Sequence, residues 1–596
     1  MTMLMNSQTT CTWGSDYIAE LMKHIGLEFI ALNPGSSYRG IHDSLVNYLG
    51  DDGPKILTVL HEEHAIAISH GYAKVTERPM GAFVHANVGL MHASMGIFDA
   101  YCDRVPVMVF GATGPVDAAK RRPWIDWLHT TKDQAAMIRA FVKWDGEPTS
   151  LEAARDAMMR AHRIACTGPR GPTYVCFDSE LQEAEVQSAP PLPRLARYRV
   201  PNRPAARPHD VKAAAEKLRA AANPLILVGR GSRDEGDWAR RVRLAEHTGA
   251  KVLTDFKLAA AFPTWHPLHA AQPGYFLDSD GIAALRAADL ILSLDWIDLA
   301  GTLREAFGDG ECPAHLMHVS LDETLHNGVG GEQQAVAPAD TYLLCDPDEF
   351  AGQLLEELRS TSGPLLAPQS RQNDSRGLRR SEPQGIDGMS LAGFSSATSA
   401  FLQQEAPTCL IRTNLGWPGG AHPIGHPLDY LGYDGGGGVG SGPGMAVGAA
   451  LALKGSRRLP VAVLGDGDYL MGATALWTAV NYKVPLLIVV ANNRSFFNDE
   501  VHQERVALQR DRPVENKGIG QRIEGADITM LAKSLGAQGI GPVKSVDELW
   551  SALEAGGSAV RAGHVVVIDA YVAREYAKTM ANGLARGKME TNHERG

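Results

Sequence analysis

Short runs of β-branched and aliphatic residues alternate with longer stretches of helical periodicity along most of the chain. The helix-patterned SDYIAELMKHIG is followed by the strand-like LEFIAL. Then come ILTVL, the helical HEEHAIAISHGYAKV, GAFVHA, the helical MHASMGIFDAY and PVMVFGA, and PTYVCFD closes the block. Runs of this kind predict βαβ units and a parallel sheet. The alternation recurs in VKAAAEKLRAAA, PLILVG, ARRVRLAEHTG, KVLTDF, IAALRAA and DLILSLD. It recurs again in PTCLIRTN, GMAVGAALAL, LPVAVL, TALWTAVNY, PLLIVVAN, ITMLAKSLG, VDELWSALEAG and HVVVIDA. The expected architecture is α/β with three domains, residues 12–182, 210–358 and 389–572, each a mostly parallel sheet flanked by helices. The linker SAPPLPRLARYRVPNRPAARP is expected to be extended and to oppose packing. The second linker, 359–388, is expected to be exposed, and the polar tail 573–596 reads as a frayed end or a lid.

Composition narrows the class without naming a chemistry. A chain of 596 residues fits several domains of about 100–200 residues each. With 44% hydrophobic and 21% charged residues it is an ordinary globular composition. A net charge of −11 with no long basic run predicts neither nucleic acid nor anionic lipid as a partner. The seven cysteines are scattered and lack a Cys-x-x-Cys, which argues against a disulfide framework or zinc cage and for free thiols in a reducing compartment. MTMLMNSQTTCTW has no basic n-region or apolar h-region, so no signal peptide is expected. The longest apolar runs, such as Val484–Ala491, have eight residues, against about 20 for a membrane helix. The expected location is cytoplasmic, and the expected partner is a small molecule.

The most informative stretch is LPVAVLGDGDYLMGATALWTAVNYKVPLLIVVANNRS. A strand ends at Gly465-Asp466-Gly467, a helix crosses over, and the next strand ends at Asn492-Asn493. A right-handed crossover brings Asp466 and Asn493 to the carboxyl ends of neighbouring strands. That edge is where open α/β sheets bind ligands. Mg2+ takes oxygen ligands, commonly one or two carboxylates together with phosphate oxygens. Asp466 offers a carboxylate, Asn493 an amide oxygen and the next turn a backbone carbonyl. Gly465 and Gly467 let a diphosphate approach the backbone, and the helix N-terminus favours its charge. A Gly-Asp-Gly turn alone is an ordinary strand-to-helix connection. Strand, helix, strand and Asn pair together, with Asp466 and Asn493 27 residues apart, favour a cation and diphosphate site.

GDG followed by NN at this distance resembles the thiamin-diphosphate-binding motif of the acetolactate synthase, pyruvate decarboxylase and benzoylformate decarboxylase superfamily. The resemblance runs over residues 12–572. It implies a pyrimidine-binding first domain, a central domain and a diphosphate-binding third domain. It also implies that Asp466, Asn493 and the backbone carbonyl of Ser495 ligate Mg2+.

His61-Glu62-Glu63-His64 opens a helix ending in Gly71-Tyr72-Ala73-Lys74. A zinc protease places its histidines at i and i+4 around a Glu; here they stand at i and i+3, which excludes it. Taken alone, the stretch is a charged first turn favoured by the helix dipole. The family has a similar His-Glu stretch with Gly-Tyr-Ala nine residues after its Glu, and Glu62 stands nine residues before Gly71. The resemblance therefore implies that Glu62 bonds the cofactor's pyrimidine ring and drives ylid formation. The family draws this glutamate and the diphosphate site from different subunits, which implies at least a homodimer, possibly a tetramer. The run GGGGVGSGPGMAVGAALA reads as a structured turn before an apolar helix. In the family's similar segment, Val439 falls at the apolar residue that wedges the cofactor into its bent form, where most relatives have a bulkier side chain.

After GAFV the chain reads His85-Ala86-Asn87-Val88-Gly89, where acetolactate synthases usually have Thr-Ser-Gly-Pro-Gly. The decarboxylase branch can place an active-site histidine at this position. His85 can donate or accept a proton near working pH, or it caps a strand end. His92 reads as the beginning of the next helix. Trp124-Ile125-Asp126-Trp127-Leu128-His129 replaces a region where synthases carry a glutamine near the cofactor. It reads either as the lining of a pocket for an apolar or aromatic group, with His129 a further catalytic candidate, or as core and surface of a loop. His422 and His426 are secondary candidates.

Gly229-Arg230-Gly231 follows the strand PLILV, but Asp234 stands where a dinucleotide fingerprint needs its third glycine. The synthases hold FAD in the central domain with a Gly-x-Arg stretch, and here DLILSL is followed by Asp295-Trp296-Ile297-Asp298 without an arginine. FAD is therefore not expected, and a nicotinamide or flavin oxidoreductase lacks its fingerprint. The expected activity is thiamin-diphosphate- and Mg2+-dependent cleavage or ligation of a carbon–carbon bond next to a carbonyl. A 2-oxo acid decarboxylase or lyase with carboligase capacity comes first. An acetolactate synthase-type transferase and a non-catalytic binding paralogue are the alternatives.

Overall fold

A computed structural model of the chain describes residues 11–324, 335–360 and 388–576. Most of the second linker and residues 577–596 of the tail, read as a frayed end or a lid, lie outside the described residues. Contacts divide the chain into two compact units, the first ending at Asn202 and the second starting at Arg203, with Lys74–Thr76 grouped with the second.

The first unit contains α1 (Gly14–His24), β1 (Phe29–Leu32), β2 (Lys55–Thr58), α2 (Glu62–Thr76), β3 (Met80–Phe83), α3 (Ala86–Cys102) and β4 (Val107–Thr113). β5 (Trp144–Gly146), α4 (Leu151–Cys166) and β6 (Thr173–Asp178) follow. The strands form one sheet in the order β2-β1-β3-β4-β6-β5, every pair parallel. β4 is buried at every position, as a strand covered by helices on both faces must be. On one face Ile18 and Leu21 of α1 and Met158 of α4 pack with Ile30 and Phe110.

α3 begins at Ala86, so His92 lies in its second turn and not at its start. The early turn was hidden because HANVG shows no apolar periodicity. The helix starts there because Ala86 takes a left-handed backbone, φ 40°, and its N–H is bonded to Ser37 Oγ at 3.2 Å.

The second unit holds two sheets. α5 (Pro208–Ala220), β7 (Pro224–Val228), α6 (Glu235–Thr248), β8 (Lys251–Thr254), α7 (Ser279–Ala287) and β9 (Leu290–Leu294) are followed by α8 (Leu299–Phe307), β10 (His315–Val319), β11 (Thr341–Leu343) and α9 (Pro347–Ser360). Their sheet is parallel in the order β11-β10-β9-β7-β8. The other sheet comprises β12 (Thr408–Leu410), β13 (Leu459–Gly465), β14 (Leu486–Asn492), β15 (Gln538–Val543) and β16 (Val565–Tyr571). It too is parallel, in the order β12-β13-β14-β16-β15. Its helices include α10 (Leu391–Gln404), α11 (Ser441–Leu453), α12 (Asp466–Gly472), α13 (Ala475–Asn481), α14 (Phe497–Gln509) and α15 (Val546–Arg561). The chain thus has three parallel-sheet α/β domains, and the second and third share one hydrophobic cluster. Trp238 and Phe256 join Phe394, Trp417 and Tyr430, and Phe256 stacks on Tyr430 with centroids 4.6 Å apart.

The proline-rich linker does not stay clear of the folded domains. Arg203 pairs with Asp237 at 2.6 Å, and the Ala206 N–H donates to Gln353. Proline keeps the segment extended, and polar groups between the prolines still find partners. No helix among the described residues is long and apolar enough to cross a membrane.

Candidate active site

Glu62 is the first residue of α2, where the helix dipole favours a carboxylate. Its side chain is buried. His92 Nδ1 lies 3.0 Å from Glu62 Oε2. A Cβ on Gly89 would come within 2.8 Å of Glu62 Oε1, so a glycine is required for α3 to pass this carboxylate. His61 caps α2 by accepting the Glu63 N–H at 3.2 Å. Burial and the neighbouring His92 push the His61 pKa down.

His85 stands between β3 and α3. Ser37 Oγ is 2.9 Å from His85 Nδ1 and also receives the Ala86 N–H. The Ser37 hydroxyl can donate to His85 Nδ1 or, on its second lone pair, accept from Nδ1–H, so this contact fits either ring tautomer and fixes the ring's orientation. His129 meets His85 edge to face, centroids 4.5 Å apart. Burial first and His129 second lower the His85 pKa, favouring the neutral ring. Asn87 donates to the Leu128 carbonyl, which ties the 124–129 segment to the start of α3. His129 Nδ1 and the Asn87 side-chain oxygen are buried without a hydrogen-bond partner. The tryptophans of this segment divide from its histidine: Trp124 is 69% and Trp127 77% exposed within the chain.

In the third domain Gly465 pairs opposite Ala491 in parallel register, so Asp466 and Asn493 leave neighbouring strand ends. Asp466 is buried and accepts the N–H groups of Gly467 at 2.9 Å and Ser495 at 3.1 Å. Burial raises its pKa to about 6 against the pull of these donors. The Asn493 side-chain oxygen accepts the same Ser495 N–H at 2.9 Å. One amide therefore gathers an anionic and a neutral oxygen at the strand ends. Ser495 Oγ donates to Glu500 at 2.5 Å, which anchors the turn. A Cβ on Gly465 would meet nothing within 4 Å, whereas one on Gly467 would approach Phe496 at 2.5 Å. A buried carboxylate, an oxygen donor set and open space over Gly465 fit a hard divalent cation with a diphosphate. Beside Asp466 is a cavity of ≈ 210 Å³ that includes Asn492, Arg494, Asp569 and Tyr571 in its lining.

The glycine-rich turn is braced by charge. Asp434 accepts the Gly437 N–H at 2.6 Å, and Asp468 accepts those of Gly440 at 2.8 Å and Gly442 at 3.2 Å. Arg412 lies between these carboxylates and donates to Ser441 Oγ at 3.0 Å. Gly437 and Gly440 have φ of +79° and +108°, which favours glycine at both. Val439, between them, is 39% exposed. Sequence reasoning missed Ser37, His92 as the partner of Glu62, and the Arg412 brace. The one local signal was an arginine interrupting the apolar run that enters β12's carboxyl end.

His422 and His426 have structural partners. His422 is buried against Ser399 Oγ at 3.2 Å, and His426 Nε2 meets Glu235 at 3.1 Å. In the central domain Asp234 caps α6 through the Asp237 N–H. Arg230 pairs with Asp322 at 3.1 Å.

Residues 12–137 match the family model for the N-terminal TPP binding domain of thiamine pyrophosphate enzymes, 211–323 the central domain, and 416–570 the C-terminal TPP binding domain. The chain is 25% identical over 510 residues to the acetolactate synthase isozyme 1 large subunit of Escherichia coli, covering 83% of each. It is 24% identical over 502 residues to benzoylformate decarboxylase of Pseudomonas aeruginosa, covering 80% of this chain and 85% of the relative. The solved structure of benzoylformate decarboxylase from Polynucleobacter necessarius shares the fold, with a TM-score of 0.75 at 21% identity over 95% of this chain and 100% of the other.

Proposed function

The chain belongs to the thiamine pyrophosphate enzyme family, and on that footing we propose that it is a thiamin-diphosphate- and Mg2+-dependent 2-oxo acid decarboxylase with carboligase capacity. Bound thiamin diphosphate would supply a nucleophilic thiazolium carbon and an electron sink for breaking the bond between the carboxylate and the carbonyl carbon. The chain's own residues would do the rest. Asp466, Asn493 and the Ser495 carbonyl would hold Mg2+, with Gly465 and Gly467 admitting the diphosphate. Val439 would give an apolar contact to the cofactor. Glu62, kept in place by His92, would bond the pyrimidine ring nitrogen and move its proton.

The observation that carries the decarboxylase reading is the set of partners around His85. Ser37 orients the ring through Nδ1, and burial with the neighbouring His129 lowers its pKa. Release of an aldehyde needs a proton at the carbon that lost CO2; His85 would deliver it as the imidazolium and be left neutral, the form its surroundings favour. His129 Nδ1, a buried nitrogen without a partner, would engage a bound 2-oxo acid by donating its N–H.

An acetolactate synthase-type transferase is the second reading, because the chain resembles the synthase and the decarboxylase almost equally, 25% against 24%. At least a homodimer and a cytoplasmic location belong to the same proposal. The exposed Trp124 and Trp127 support the former, and the seven free cysteines support the latter. FAD is no part of it, since Asp234 and the Arg230–Asp322 pair stand at the candidate nucleotide edge.

The test is CO2 release by the full chain from a panel of aliphatic and aromatic 2-oxo acids, with and without thiamin diphosphate and Mg2+. Release from at least one acid that depends on both additions is expected. Cofactor binding without turnover of any acid would favour a non-catalytic paralogue.

A further inference from the structure

The Glu62 carboxylate sits beside two imidazoles that the proposed reaction does not use as ligands. His61 and His92 stack with ring centroids 4.9 Å apart and planes 19° apart. The ligating atoms of His61, Glu62 and His92 all lie within 4.8 Å of one another, the one such group of three or more found among the described residues. His61 Nδ1 is occupied by the Glu63 N–H, so its Nε2 is the nitrogen left for a ligand.

We propose that His61, Glu62 and His92 bind a divalent transition-metal ion of the zinc class, at a site separate in donor chemistry from Asp466. Two imidazoles and a carboxylate suit zinc, cobalt or nickel and leave a coordination position open. The oxygen donors at Asp466 and Asn493 suit magnesium instead. Bonds of about 2.0–2.1 Å to a tetrahedral ion place donors roughly 3.4 Å apart, so the group must close slightly. His92 can supply that movement, because its side chain is 58% exposed, while Glu62 is held at 9% on α2. The metal would replace the proton that now links His92 Nδ1 to Glu62 Oε2. It would also take the carboxylate assigned to the pyrimidine. Metal and cofactor are therefore expected to exclude one another; this consequence rests on the proposed role of Glu62, and the site itself does not.

The test uses the full chain without cofactor, titrated with Co2+ and followed by its ligand-field absorption, and with Zn2+ by calorimetry. One site per chain with imidazole-type absorption is expected in wild type and in Asp466→Ala alike. Both His92→Ala and His61→Ala should weaken it by at least about tenfold, the lower bound for losing even an outer-shell group. Thermal melts establish that each variant is folded. If loss of the His61 cap unfolds the chain, the exposed His92 decides alone. Unchanged affinity in the folded variants, or no binding by wild type, overturns the site. In a second arm, Zn2+ should weaken thiamin diphosphate binding by wild type but not by His92→Ala. Histidine-dependent metal binding with no effect on the cofactor would keep the metal site and remove Glu62 from the pyrimidine.

Discussion

The Arg412 guanidinium lies 2.8 Å from the Asp434 carboxylate, and both side chains are inside the protein, 4% and 0% exposed. Asp468 is 3.5 Å from the same nitrogen. Each carboxylate holds N–H groups of the glycine-rich turn, so one cation ties both ends of that turn to the end of β12. Arg412→Leu would leave two buried carboxylates without their counter-charge. The expected loss is about 3–5 kcal/mol, read from urea unfolding, together with weaker thiamin diphosphate binding as Val439 loses its fixed position. Wild-type stability in the variant would show that the turn is held by its backbone alone.

Asp466→Ala should behave in the opposite way. Burial already disfavours this carboxylate, raising its pKa to about 6, so removing it should leave stability unchanged or slightly higher. Mg2+ and thiamin diphosphate affinity should fall together in calorimetric titrations. Retained affinity for both would remove Asp466 from the cation site.

Glu62→Gln keeps the shape of the side chain and removes its charge. Cofactor binding should persist, while deuterium exchange at the thiazolium C2 should slow by about 10²–10⁴-fold, the usual worth of a placed acid–base group. NMR of the exchanging proton measures this. Wild-type exchange would reduce Glu62 to a helix-start charge.

His422 gives a pH-dependent signature apart from catalysis. Burial holds its pKa at about 4 against an ordinary value of 6.5. Between those values the unfolded chain takes up a proton that the folded chain refuses. The stabilisation is therefore complete above the ordinary pKa and is lost as the pH falls towards the folded one. His422→Gln should flatten the dependence in that window by about 1.4 kcal/mol per pH unit. Urea unfolding of both proteins at several pH values checks it. Parallel dependences would mean that His422 is not buried in its neutral form.

The strands, and the placing of Gly-Asp-Gly and Asn-Asn at neighbouring strand ends, were legible because they rest on local patterns. Alternating apolar runs specified β13 and β14, and the Gly-Asp-Gly and Asn-Asn spacing then follows from one crossover. What was not legible depends on elements far apart in sequence. Ser37 meets His85 across 48 residues, and His92 meets Glu62 across 30. Neither pair has a spacing rule, since packing of one element on another creates it. The start of α3 was missed because Ala86 pays for a left-handed backbone with a bond to Ser37, which no periodicity encodes. The linker was misjudged because proline content speaks for chain stiffness and is silent about where Arg203 finds Asp237.

Product analysis with a single 2-oxo acid as the only substrate separates decarboxylase from synthase. With thiamin diphosphate and Mg2+ present, wild-type enzyme should release one aldehyde for each CO2. His85→Ala should lower kcat more than it changes KM, because the lost step follows substrate binding. Condensation of two acid molecules with one CO2 and no free aldehyde would contradict the decarboxylase assignment and establish the transferase.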